Sequence, residues 1–134
     1  NNQLTQVMKG VMKMNNYETE IRAYQLEAVS TVIAQLDGCE QLYNGASALE
    51  AALSLAFLLD HDMRSVVNNA TGFVCYADIS EGAAAAHALS NMAADIKHND
   101  VGSIERFFSM AYLAANAMKK MREAIGAELD SKSA

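Results

Sequence analysis

Apolar residues recur at helical spacing through almost the whole chain, in stripes separated by short polar clusters. Leu4, Val7, Met8, Val11 and Met12 sit three and four apart with Lys9 and Lys13 on another face, which predicts a short amphipathic helix over residues 1–14. Asn15 and Asn16 interrupt it. The next stripe is Tyr17, Ile21, Tyr24, Ala28, Val32 and Leu36, expected to face the core, and Gly38 is placed to end that helix in a left-handed cap. After a connector over residues 37–45, Ser47-Ala48-Leu49-Glu50 has the form of a capping box. The helix it opens runs to about Val67 and is apolar nearly all round, with Leu49, Leu53, Leu55, Phe57, Leu58 and Leu59, so neighbours are expected on several of its sides.

Asn68-Asn69-Ala70-Thr71-Gly72 reads as a stop, and Phe73-Val74-Cys75-Tyr76 as a patch that suits either a helical turn or an extended connector. Asp78 or Ser80 is then the expected cap of a helix with the stripe Ala85, Leu89, Met92 and Ile96, ending near His98. Ser103 is the expected cap of the last helix. Its inward face is Ile104, Phe107, Phe108, Ala111, Ala114, Met118, Met121 and Ile125, followed by a frayed polar tail from Asp130. Four main helices with short connectors, plus the small N-terminal one, predict an all-α antiparallel helical bundle forming one domain over residues 1–134.

Composition agrees with that pattern. Of 134 residues 51% are hydrophobic, enough for one cohesive core, and proline is absent, so no helix interior is broken by one. The longest apolar run, residues 51–59, is far short of the ~20 residues a helical membrane span needs. Cys39 and Cys75 stand far apart without a CxxC pair, which suggests reduced thiols and a cytoplasmic setting.

The formal charge of −6 is uneven. Residues 1–14 hold two lysines and no acid, whereas residues 15–100 hold three basic and twelve acidic side chains. An acidic body makes nucleic acid an unlikely partner, since affinity for phosphates comes from Lys and Arg. Lys119, Lys120 and Arg122 form only a local basic patch near a helix end.

Candidate chemistry is sparse. His87, Asn91, Asp95 and His98 would share one face of a helix, and His61 between Asp60 and Asp62 is the nearest further donor set, but a single Asp-x-x-His lacks the second copy that helical metal sites use. That face is expected to meet water, with no metal and no cofactor. Phosphate-binding glycine loops, nucleophile elbows and His-Glu-x-x-His are missing from the sequence, so no catalytic residue is assigned. The reading that remains is a non-catalytic interaction or regulatory module, self-associating as a homodimer or binding another protein through Val7, Met8, Val11, Met12, Leu55, Leu58 and Leu59. A small apolar-ligand or metal-binding bundle is the alternative.

Overall fold

The computed structural model describes residues 15–42 and 45–133, and the helix expected over residues 1–14 lies outside them. Four helices fill most of the described chain: α1 (Asn16–Gln35), α2 (Ala48–Asn69), α3 (Tyr76–Ala94) and α4 (Val101–Ser133). They form a closed square in which α1 packs on α2 and α4, and α3 packs on α2 and α4, with no contact across either diagonal among the described residues. Paired residues fix the directions. Arg22 near the start of α1 meets Asp62 late in α2, His87 and His98 meet Asp60 and Glu50, and Lys120 late in α4 meets Glu81 early in α3. Every adjacent pair is therefore antiparallel, and the all-α bundle read from the sequence is present.

The core runs along the axis of the square. Leu26, Ile33, Leu59, Met63, Ile79, Leu89, Phe107, Met118, Met121 and Ile125 are all essentially inaccessible to water. Phe107 meets Phe108 edge to face at 5.2 Å between ring centroids. α4 supplies the largest share, as its clean stripe implies. Its tail is helical through Ser133 rather than frayed from Asp130, and Lys132 pairs with Glu128 one turn back at 3.0 Å.

Local signals set two helix ends as expected. Ser47 Oγ accepts from the Glu50 amide at 3.4 Å at the start of α2. Gly38, with φ of 81°, makes the left-handed turn just past α1, a conformation that strains any residue with a Cβ. Other ends differ. α4 begins at Val101 because Asp100 Oδ1 accepts from the amides of Gly102 and Ser103, whereas the Ser103 hydroxyl turns back to accept from the Lys97 amide.

α3 begins at Tyr76 with no side-chain cap from its own segment, so neither Asp78 nor Ser80 caps it. Its cap comes from α4. The Glu128 carboxylate accepts from the amides of Val74 at 3.0 Å and Cys75 at 2.8 Å, the two residues directly before the helix, and so holds its entry. Residues 73–75 accordingly form a turn held by another helix, not an extended connector.

α1 shows the largest departure from the sequence pattern. Its inward face is Thr19, Ala23, Leu26, Ser30, Ile33 and Ala34, and the stripe of Tyr17, Ile21, Tyr24 and Val32 points to solvent at 69, 39, 53 and 44% exposure. At 3.6 residues per turn a shift of two residues is roughly 200°, which carries one stripe to the opposite side of the helix. The inward polar groups need nothing from other helices: Thr19 Oγ1 donates to the Asn15 carbonyl at 3.0 Å and Ser30 Oγ to the Glu27 carbonyl at 2.8 Å. Charged pairs on both flanks then fix the rotation. Arg22 reaches Asp62 on α2, and Arg122 of α4 grips Glu27 with two bonds at 2.6 and 3.1 Å while its guanidinium lies 4.9 Å from the Tyr24 ring centroid.

Candidate functional site

His87, Asn91, Asp95 and His98 are all exposed, but α3 stops at Ala94, so His98 lies beyond the helix that was expected to align them. Each histidine takes its own carboxylate from α2. His87 Nδ1 is 3.4 Å from Asp60, and His98 Nε2 contacts Glu50, which draws the capping-box glutamate away from the helix start it would have closed. Asp60 and Glu50 are ten residues apart, about 15 Å along a helix, so the two histidines cannot share an ion. His61 contacts its neighbour Asp62 at 3.3 Å. Among the described residues no group of three or more His, Cys, Asp or Glu side chains converges as a metal site would require.

The thiols differ from one another. Cys39 is exposed at the end of α1, its Sγ 3.7 Å from the Gln35 carbonyl. Cys75 is half-buried against Glu128, and burial together with that carboxylate pushes its thiol up to about 12, which disfavours the thiolate at neutral pH. Among the described residues neither thiol makes a hydrogen bond to a histidine that would activate it.

The basic patch on α4 is largely spoken for. Arg122 belongs to Glu27, whose carboxyl is held below its ordinary value by the hydrogen bond from that guanidinium and by its charge, and Lys120 lies 3.4 Å from Glu81.

Among the described residues two extended apolar features are open. An open groove of ≈ 500 Å³ runs between α3 and α4, walled by Ala84, Ala85, Ala88, Met110 and Leu113, with Glu81 and Lys120 at one end. The other is the outward stripe of α1, where Tyr17, Ile21, Tyr24, Ala28 and Val32 follow one another at steps of four, three, four and four. Of the residues singled out for interaction, Leu59 is a correction: it has 0% exposure and fills the core. Leu55 is half-buried against that core, and only Leu58, at 52%, is open to a partner. The outer face of α2 is mixed, with Glu50, Ser54, His61, Arg64 and Asn68 exposed alongside Phe57 and Leu58, so the helix is not enclosed on all sides. Val7, Met8, Val11 and Met12 lie outside the described residues.

The fold thus defines an all-α antiparallel four-helix bundle whose described helices include none long and apolar enough to cross a membrane. No protein-family model matches the chain, and no curated protein or solved structure matches it either. Geometry is what function can be read from.

Proposed function

We propose that this bundle is a non-catalytic interaction module that self-associates, with the outward stripe of α1 as the contact surface. One observation supports the reading above all others: five apolar residues hold one exposed face over four turns of a helix whose opposite face already serves the core. Monomeric proteins seldom leave a contiguous apolar strip without an occupant. A second copy is the partner of choice because an isologous pairing about an axis near Tyr24 sets Tyr17 of each protomer against Val32 of the other, and Ile21 against Ala28, large against small. Tyrosines suit such a face, since each offers a broad apolar ring to the contact and a hydroxyl to water.

Light scattering coupled to size exclusion at micromolar concentration is expected to report twice the 14.4 kDa chain mass, and Ile21→Lys is expected to return the monomer with unchanged helical content. A wild-type monomer across the accessible concentration range would reject the proposal. The groove between α3 and α4 supports the alternative, a site for a small apolar ligand; its charged mouth, where Glu81 meets Lys120, would favour a neutral one. Two free thiols and an acidic surface fit a cytoplasmic setting, which belongs to the same proposal.

A further inference from the structure

Tyr24 stands at the centre of the outward stripe, with Tyr17 and Ile21 before it and Ala28 and Val32 after it. An isologous pairing that sets Tyr17 against Val32 and Ile21 against Ala28 has its axis between positions 24 and 25, so Tyr24 is the stripe residue that meets its own copy. Arg122 of α4 lies beside that ring. Resting on the reading of the α1 stripe as the contact surface, we propose that Arg122 is a positioning residue for it, holding the Tyr24 ring in the one orientation that the second copy meets.

A cluster of three side chains across the seam between α1 and α4 carries this. Glu27 follows Tyr24 by three residues, which places both on one side of α1. Arg122 reaches over to both. Its Nε and Nη2 donate to the two oxygens of the Glu27 carboxylate at 2.6 and 3.1 Å, a fork-to-fork pair that fixes the plane of the guanidinium. Its Cζ lies over the Tyr24 ring, 4.9 Å from the centroid, within the range of a cation–π contact. Only 22% of the arginine side chain is exposed, so the seam itself holds it in place. One side of the ring is thus occupied from within the protomer, while 53% of Tyr24 stays open.

A tyrosine on a bare helix face turns among staggered χ1 wells, and a partner that needs one of them must freeze it on binding, at a cost in entropy. Arg122 removes that freedom beforehand. Charge fits the same role, because a cation beside a twofold axis approaches its own copy, and an uncompensated pair of them would oppose the dimer. Glu27 offsets the guanidinium, and Glu123 adds a second carboxylate 3.9 Å from Nη2. Lysine could not substitute, since a point charge without a planar fork cannot bond Glu27 at two points and cover the ring at once.

The test joins a rotamer measurement to a double-mutant cycle, both on the full chain. Three-bond couplings from the Tyr24 ring Cγ to its backbone nitrogen and carbonyl carbon, read by NMR at a dilution where the chain is monomeric, are expected to report one χ1 rotamer in the wild type and averaging in Arg122→Lys. Sedimentation equilibrium is expected to show Arg122→Lys dimerising at least about fivefold more weakly than wild type, one extra side chain per protomer having to be ordered on association. In a Tyr24→Leu background the same substitution is expected to change the dimer constant by less than about twofold, because the group it acts through is gone. Equal losses in the two backgrounds would make Arg122 a general support of α1 and overturn the proposal, as would an averaged Tyr24 rotamer in the wild type. If Tyr24→Leu abolishes the dimer, the couplings decide alone. A wild-type chain that stays monomeric at every concentration rejects the contact surface and this role of Arg122 with it, whereas a wild-type dimer without the coupling rejects the role alone.

Discussion

Phe107→Ala is expected to destabilise the bundle by about 3–5 kcal/mol, the range for removing a fully buried ring from a packed core. Phe107 has no exposed surface, and its edge-to-face contact with Phe108 would be lost along with the volume. A domain of this kind has only about 5–15 kcal/mol in hand, so the variant should stand close to the threshold of folding. Urea titration followed by far-ultraviolet circular dichroism measures the loss. A change below about 1 kcal/mol would mean that α4 does not pack as described. Phe107→Leu keeps most of the volume and should cost far less.

The second large effect belongs to Glu128, and it depends on pH. Burial opposes ionisation of this carboxyl, but the amides of Cys75 and Val74 and the Lys132 ammonium outweigh it and bring the group from an ordinary 4.5 down to about 2. A carboxyl depressed in the folded state stabilises the fold above its unfolded value and loses that contribution as pH falls through the folded one. Glu128→Gln should therefore cost about 1.5–3 kcal/mol at neutral pH, the range for hydrogen bonds to a charged group. The difference between wild type and variant should shrink as pH falls from 4.5 to about 2. Paired denaturation curves across that window check it, and a difference that stayed constant would assign the loss to packing and not to the charge.

Glu128 also illustrates what a sequence can and cannot disclose. Ser47 and Glu50 are three residues apart, so the start of α2 is written within one turn. The start of α3 depends on a carboxylate 53 residues downstream of Cys75, and no local window contains it. Asp78 and Ser80 looked like caps because they are good ones in isolation, yet the helix starts at Tyr76, before both, where Glu128 holds the amides of Val74 and Cys75.

The inward face of α4 was legible because its apolar positions recur along one side for several turns, and Phe107, Phe108, Ala111, Ala114, Met118, Met121 and Ile125 are all buried, while Tyr112 and Leu113 are exposed. α1 is apolar on two sides. Periodicity gives the spacing of a stripe but not its direction, and the outward stripe has the bulkier residues. Thr19, Ala23 and Ser30 appear weak as core formers, yet small side chains let neighbouring helices come close, and the hydroxyls bond within their own helix. The observed rotation of α1 brings Arg22 to Asp62 of α2 and Glu27 to Arg122 of α4, contacts that no pattern of hydrophobicity records.

Counting apolar residues drew attention to α2, where Leu59 is buried in the core and Leu55 half-buried while Leu58 is exposed; the longer exposed stripe lies on α1, the helix whose stripe had been given to the interior.

The closed square has a consequence for how fast the molecule comes apart. Three of its four seams join helices adjacent in sequence and can form as hairpins, whereas the seam between α1 and α4 joins residues as far apart as Glu27 and Arg122, a separation of 95. Closing so long a loop is entropically the most demanding step, so that seam is expected to form after the barrier to folding has been crossed. Contacts made late slow unfolding without hastening folding. Arg122→Leu should therefore raise the unfolding arm of a chevron plot and leave the folding arm nearly in place. A shift confined to the folding arm would put the docking of α1 on α4 at the start of the process. With the expected outcome, Arg122 acts as a latch on the lifetime of the native state, and the ends of the chain govern how long the bundle persists more than how readily it assembles.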